Sequence, residues 1–220
     1  MMLIMRSAVG RRRLLGVGWW WLAVLGCGLF AGAAGGQSAP SQADAQALVR
    51  QASEHLLQRL RADRSRLLND AAALREVVAE TMMPVLDFTA LSRLVLGRHF
   101  RKATPAQRQL FAQQFRDMLL RSYTAPLLEY ADNIQIDYLP MTASERPDRS
   151  VVRTRLSYRG SQRIPINYRL RFKDDRWLVY DVTIMGLSAV GLFRQAFNAD
   201  IQRLGIEAFL AQLAQRERDF

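Results

Sequence analysis

The stretch Arg176–Gly205, RWLVYDVTIMGLSAVGLFRQAFNADIQRLG, changes from one apolar periodicity to another. Its first part, up to Ile184, is rich in aromatic and β-branched residues, which is typical of a strand. After Gly186 the apolar residues recur every three or four positions, and this predicts a helix from Leu187. Gly205 is placed to end that helix, as glycine commonly does. The stretch therefore predicts a strand that turns directly into a helix.

Three earlier segments alternate apolar and polar residues with a period of two. They occupy residues 134–138, 152–158 and 166–172. Such alternation predicts strands with one dry and one wet face, and the short connections between them suit an antiparallel meander. Together with the strand that contains Trp177, these segments predict a four-stranded antiparallel sheet within residues 133–186.

Helical signals precede and follow the sheet. Thr104 and Gln107 form a capping box with Pro105 at the first helical position, and Pro126 predicts a kink in the helix that follows. Apolar periodicity and caps predict helices over residues 41–63, 69–83, 88–96, 104–130, 187–205 and 206–215. The fold class is therefore α+β, with helices packed over one face of the sheet. We expect one domain over 37–220, with a mostly helical part (41–131), the sheet (133–186) and C-terminal helices (187–216).

Residues 1–36 have the order of regions found in a signal peptide. Arginines come first, an apolar run follows from Leu14 to Phe30, and small residues around Ala31 suit a signal peptidase. We therefore expect a periplasmic protein exported by a cleaved signal peptide. Lipid attachment at Cys27, a twin-arginine signal at residues 11–15 and an uncleaved anchor are the alternatives. Cys27 is the only cysteine, so the mature chain is expected to have no disulfide.

The chain is strongly basic, with a formal net charge of +11. Positive charge favours anionic partners without choosing among them. Arginines concentrate on the wet face of the predicted sheet, at Arg153, Arg155, Arg169 and Arg171. Aromatic residues of the same strands alternate with them and so face the dry side, which disfavours nucleic-acid binding. We interpret the arginine face as a protein-docking surface, the alternative being an ordinary solvated face.

Residue types that perform chemistry are sparse. His55 and His99 are the only histidines, no carboxylates accompany them at a metal-binding spacing, and no nucleophile or phosphate-loop motif occurs. Asp181 lies in an apolar strand, where burial would raise the pKa of a carboxyl group and suit a general base. Pairing with Arg176 or with an arginine of the neighbouring strand is the simpler interpretation. The sequence therefore favours a protein that is not an enzyme and has no metal or cofactor.

Large apolar side chains are abundant on the predicted dry face and the adjoining helices. They fill a core or line a cavity, and the pattern alone does not choose between these alternatives. The candidates are Phe111, Phe115, Leu119, Tyr123, Leu127, Leu156, Tyr168, Leu170, Val182, Ile184, Leu187, Val190, Phe193 and Phe197.

Two blocks of sequence resemble a known family. The first is Asp181–Ser188, which reads DVTIMGLS, followed by Arg194 and Phe197 as R-x-x-F. The second is Val95–Arg98 (VLGR), then Ala103–Arg108 (ATPAQR) and the F-x-x-x-F pair that follows. Together they are similar to the motifs of the MlaC, or toluene-tolerance, family. The resemblance extends over about residues 42–215.

The resemblance implies a nuclear-transport-factor-like half joined to a helical half. It also implies a periplasmic carrier that maintains outer-membrane lipid asymmetry, with phospholipid as cargo and its acyl tails between sheet and helices. The implied partners are an inner-membrane ABC transporter complex with its lipid-binding MCE-type subunit, and an outer-membrane lipoprotein–porin complex. Two alternatives remain at this point. One is a carrier of a hopanoid or other polycyclic lipid, and the other is a small-molecule enzyme on a cone-like fold with Asp181 as base.

Overall fold

The computed structural model describes residues 41–142, 144–160 and 163–218, with side chains up to Gln215. The signal-peptide prediction for residues 1–36 lies outside these ranges. The helices are α1 (Gln42–Ala62), α2 (Arg64–Asn69), α3 (Ala71–Met82), α4 (Phe88–Leu96), α5 (His99–Lys102), α6 (Pro105–Tyr130), α7 (Ala189–Leu204) and α8 (Ile206–Arg218). The strands are β1 (Ile134–Tyr138), β2 (Arg149–Tyr158), β3 (Ile164–Lys173), β4 (Arg176–Ile184) and β5 (Leu187–Ser188). Single 3₁₀ turns lie at Met83–Val85 and Ala131–Asn133.

The long helices begin and end where their capping residues predict. The Ser41 hydroxyl accepts a hydrogen bond from the Ala43 amide at the start of α1, and Thr104 and Gln107 form both bonds of the capping box of α6. α6 then continues through Pro126 to Tyr130. The short helices α2 and α5 were not predicted, because six and four residues are too few to establish a periodicity. Among the described residues, no helix has both the length and the apolarity needed to cross a membrane.

The strands form one antiparallel sheet in the order β1-β2-β3-β4-β5. The predicted α+β fold is confirmed, with one more strand than expected. The prediction of a helix from Leu187 was wrong at its start, since Leu187 and Ser188 pair with the end of β4 before α7 begins at Ala189. The Ser188 hydroxyl then accepts a hydrogen bond from the Gly191 amide at 3.0 Å and caps α7.

Buried apolar side chains form three cores, which we name by position. The helical core joins α4, α7, α8 and the first half of α6, and includes Phe111, Phe115, Phe197 and Phe209. The middle core joins α1, α2, α3 and the second half of α6, and includes Leu60, Leu74 and Leu128. The sheet core joins the first half of α1 to the dry face of the sheet, and includes Val49, Val152, Leu170 and Trp177.

Asp87 connects the helices to the sheet. Its amide donates a hydrogen bond to the Val179 carbonyl oxygen at 2.8 Å, and its side chain accepts one from the Ala90 amide at 2.9 Å, which caps α4. The same carboxylate, only 4% exposed, forms an ion pair with Arg171 of β3. Because the Asp87 carboxylate is buried and makes both contacts, its removal leaves the first turn of α4 without its cap and the Arg171 guanidinium without its carboxylate partner.

Replacing Asp87 with alanine is therefore expected to lower the free energy of unfolding by about 3 kcal/mol. Urea unfolding followed by circular dichroism measures the change. Asp137→Ala is the control, since the Asp137 side chain is 55% exposed and its ion pair with Arg163 spans 3.7 Å. We expect the control to change stability by less than about 0.5 kcal/mol. Equal losses in the two variants would contradict the role given to Asp87.

Candidate functional site

Helix α1 covers one half of the dry face of the sheet. Ala45 and Val49 of α1 pack there against Val152, Leu170 and Trp177 in the sheet core. Two side-chain amides fix this position of α1, because Gln42 donates to the Arg149 carbonyl oxygen at 2.9 Å and Gln46 donates to that of Leu139 at 2.8 Å. The covered half is therefore a closed core.

The other half of the dry face belongs to none of the three cores. Cross-strand register places Ile136 opposite Leu156 and Leu156 opposite Ile164, while Ile166, Ile184 and Leu187 lie side by side on β3, β4 and β5. We name these residues the open strip: Ile136, Leu156, Ile164, Ile166, Ile184 and Leu187. Ile184 and Leu187 are 46% and 59% exposed, and the other four residues are half-buried. A contiguous apolar surface that ends in exposed side chains typically marks a binding site.

Helix α6 meets this side of the sheet at its C-terminal end. The rings of Tyr130 and Tyr158 contact each other edge to face, with their centroids 5.1 Å apart. Tyr123 precedes Tyr130 by two helical turns, so both rings lie on one side of α6. Tyr123 is nevertheless 52% exposed, so this part of α6 leaves its apolar face uncovered. The open strip and the end of α6 thus present apolar surface at a common edge.

The predicted cavity residues separate into five groups. Those in the helical core are Phe111, Phe115, Val190 and Phe197, with Leu119 and Phe193 packed against it. Those at the sheet core are Leu170, Tyr168 and Val182, while Leu127 packs against the middle core. Those in the open strip are Leu156, Ile184 and Leu187, and Tyr123 is exposed on α6. The structure therefore does not bring the whole set to one surface.

Three residues of the open strip, Ile136, Ile164 and Ile166, were absent from the predicted set. Strand alternation already placed Ile136 and Ile166 on the dry face, so the signal was present in the sequence. What the pattern did not contain was the position of α1, which decides which half of the face is closed.

Hydroxyl groups mark the boundary between the closed and open halves of the dry face. Tyr138 pairs with Thr154 across β1 and β2, and Tyr168 lies on the neighbouring β3. Burial raises the pKa of Tyr168 to about 12, against the effect of hydrogen bonds with Thr154 and Ser53 of α1. Burial also raises the pKa of Tyr138. Both rings therefore have their neutral, protonated form at physiological pH.

The buried phenol predicts how stability depends on pH. An unfolded tyrosine loses its proton near pH 10, whereas Tyr168 in the folded protein loses it near pH 12. The folded state then binds more protons over this interval, so the free energy of unfolding falls as the pH rises from about 10 to about 12. Urea unfolding at several pH values should give a shallower fall for Tyr168→Phe than for the wild type. Tyr123→Phe controls for loss of a hydroxyl, and identical slopes for Tyr168→Phe and wild type would contradict the assignment.

Asp181 has a structural environment. Its carboxylate accepts hydrogen bonds from the Ser188 hydroxyl at 2.8 Å and from the Val190 amide at 3.2 Å, and Arg169 Nη1 lies 3.8 Å away. The expected partner from a neighbouring strand is thus Arg169 of β3. These contacts hold the corner between β4 and α7, which explains a buried acid in this strand without a catalytic role.

The histidines do not form a metal site among the described residues. His99 Nε2 lies 2.8 Å from Asn198 Oδ1, and His55 is exposed on α1. No group of three or more potential ligand residues suited to a metal ion occurs within these ranges.

The arginines of the wet face differ in how firmly they are held. Arg171 is held by Asp87, and Arg169 lies beside Asp181. Arg153 donates to the Pro140 carbonyl oxygen at 2.8 Å. Arg155 is exposed. Arg153 and Arg155, neighbours on one face of β2, are therefore the members of this set that are not engaged with a carboxylate among the described residues.

Comparison with known proteins identifies the family. The model of the MlaC protein family matches residues 50–215. The toluene tolerance protein ttg2D of Pseudomonas putida is 28% identical over 159 residues, which cover 72% of this chain and 73% of that protein. The intermembrane phospholipid transport system binding protein MlaC of Haemophilus influenzae is 23% identical over 174 residues, with coverages of 76% and 79%.

A solved structure is similar over most of the fold. It is the phospholipid-binding protein from Ralstonia solanacearum, determined in complex with a phospholipid at 1.53 Å resolution. The TM-score is 0.74 at 26% identity, and the match covers 80% of this chain and 98% of the other. The sequence blocks, the α+β architecture and these matches agree, and the chain belongs to the MlaC family.

Proposed function

We propose that this protein is a periplasmic carrier that binds phospholipid on the open strip. The observation that carries the proposal is the continuous apolar row from Ile136 to Leu187 that no described helix buries in a core. The similarity to the Ralstonia solanacearum protein supports phospholipid as the cargo, because that protein was solved with one bound. Acyl chains laid along the strip would cover these side chains, with α6 on the other side.

The energetics of such a site suit a carrier. Burying an acyl chain away from water gains roughly 0.8 kcal/mol per CH₂ group, but a bilayer offers about the same gain. Transfer between membrane and protein is therefore nearly balanced, so docking partners set its direction. An apolar strip with few polar groups also has the chemistry of a binding site.

Within this proposal, the protein shuttles phospholipid between the outer membrane and an inner-membrane ABC transporter with an MCE-type subunit. An outer-membrane lipoprotein–porin complex is the partner at the other end. The name of the Haemophilus influenzae relative supports an intermembrane transport system. Arg153 and Arg155 lie on the wet face, away from the lipid, where exposed positive charge speeds encounter with acidic partner surfaces.

The cargo is tested by lipid mass spectrometry of the protein purified from its native periplasm. We expect co-purified phospholipid in the wild type and an at least tenfold lower amount in Leu187→Glu. In the lipid-free protein a carboxylate at this exposed position keeps its water, but acyl chains laid over it would remove that water at a cost of several kcal/mol. Each 1.4 kcal/mol is a factor of about ten in affinity. Leu187→Met roughly keeps the volume and should retain lipid.

Leu68→Glu is the matched control for this experiment. Leu68 on α2 is 61% exposed, close to the 59% of Leu187, and α2 contributes to the middle core instead of to the sheet. Circular dichroism and thermal melts check that both glutamate variants are folded. A folded Leu187→Glu protein that carries wild-type amounts of lipid would refute the proposed site. If the wild type co-purifies with a polycyclic lipid, that lipid is the cargo instead of phospholipid. If the wild type carries no lipid, the carrier function is refuted.

The docking role is tested by charge reversal at Arg153 and Arg155. We expect the double glutamate variant to associate about tenfold more slowly with the purified MCE-type subunit at low salt, while its lipid content is unchanged. Arg93→Glu with Arg121→Glu reverses two exposed charges on helices and serves as the control. Surface plasmon resonance measures the association rates. Loss of lipid with normal association would show that the two faces of the sheet have been assigned the wrong way round.

A further inference from the structure

The helical half has a cavity of its own, with a volume of about 510 Å³. It lies where α5, the C-terminal turns of α7 and the start of α8 meet, and Arg98, His99, Lys102, Gln202, Gly205 and Ile206 are among its lining residues. Arg98 belongs to the VLGR block that the sequence singled out and that the open strip does not use. The cavity therefore needs an explanation separate from the lipid-binding strip.

The cavity is lined by basic side chains and by no acidic one. Within the described ranges, neither Arg98 nor Lys102 forms an ion pair. Asn198 fixes the ring of His99, since its Oδ1 lies 2.8 Å from His99 Nε2. Two acids adjoin lining residues along the chain, Asp200 and Glu207, and neither lines the cavity; Asp200 forms an ion pair with Arg203 at 3.1 Å. Both cationic side chains are therefore free to bind an anion.

The start of α8 adds a backbone donor to the same cavity. The first bond of this helix runs from the Phe209 amide to the Gly205 carbonyl oxygen at 3.1 Å, so the amide of Ile206, which lines the cavity, has no intrahelical acceptor. Gly205 has no side chain to cap it, and there is open space beside its Cα. Free amides at the start of a helix and nearby cations are the combination that binds phosphate groups in proteins.

The cavity lies at the far end of α7 from the open strip. Ile201, which also lines the cavity, follows the first residue of α7 by twelve positions, or about 18 Å along the helix axis. A phosphate bound here therefore does not compete with the apolar contacts of Leu187. The proposed site can be tested independently of the carrier function.

We propose that the cavity between α5, α7 and α8 is a phosphate-binding site, in which Arg98, Lys102 and the Ile206 amide hold a phosphate monoester or diester. The phosphate comes either from a small soluble molecule or from a lipid headgroup at a bilayer surface. Both sources present the same anionic oxygens to the site.

Titration with inorganic phosphate and with glycerol 3-phosphate, followed by amide shifts in NMR spectra, tests the site in the whole mature protein. We expect saturable shifts at Gly205, Ile206 and His99, and at least tenfold weaker binding in Arg98→Gln/Lys102→Gln. Arg93→Gln/Arg101→Gln is the matched control, because Arg93 and Arg101 are exposed on α4 and α5 and do not line the cavity. The control should bind as the wild type does.

Flotation with phosphatidylcholine vesicles, with and without phosphatidylglycerol, separates the two sources. If the soluble anions bind saturably and replacing Arg98 and Lys102 does not change flotation, the natural ligand is a soluble phosphate compound. If flotation requires phosphatidylglycerol and is weaker in the Arg98/Lys102 variant but not in the control, the natural ligand is a lipid headgroup. Absence of both, or equal losses in the variant and its control, would overturn the proposal. Retained co-purified lipid in the variant would show that the carrier function is unaffected.

Discussion

The buried carboxylate of Asp181 determines how the two halves of this protein meet. It binds the Ser188 hydroxyl and the Val190 amide, so β4, β5 and the first turn of α7 are fixed to one another. Because α7 carries Val190, Phe197 and Ile201 into the helical core, this corner fixes one side of that core to the sheet, and Asp87 of the α4 start fixes another. The same corner leaves Leu187 at the edge of the sheet with its side chain exposed.

The division of the dry face explains why one sheet supports both stability and binding. α1 closes only the half that contains Val152 and Leu170, and a layer of hydroxyl groups from Tyr138, Thr154 and Tyr168 follows. Polar groups beside a dry core are stable when they are hydrogen-bonded, and Thr154 donates to the Ile166 carbonyl oxygen. Beyond this layer lies the open strip, which no described helix buries in a core. The fold thus keeps part of its apolar surface available at little cost to the closed cores.

Much of this fold could be predicted from the sequence, because its signals are local. Alternation placed Ile136, Ile166 and Ile184 on one face, and the capping residues Ser41 and Thr104 located the helices within a residue or two. The binding surface was less predictable. A phenylalanine that fills a core and one that lines a groove obey the same helical spacing, so Phe111 and Phe197 could not be told apart from Leu187. The distinction depends on long-range bonds such as that from Gln46 to Leu139, which no local pattern contains.

Pro126 interrupts the backbone hydrogen bonding of α6, and side-chain contacts compensate for the interruption. A proline has no amide hydrogen, so the Ser122 carbonyl lacks its usual intrahelical donor, and helices bend most easily at such a point. Residues on both sides of this point are anchored, since Phe111 and Phe115 lie in the helical core and Leu127 and Leu128 pack in the middle core. Arg64 donates to the Leu128 carbonyl oxygen and Arg61 to that of Ala131, so the last turn of α6 is held in place in spite of the missing backbone bond. Tyr130 therefore reaches the ring of Tyr158 from a fixed position, and the end of α6 forms a preset border beside the open strip.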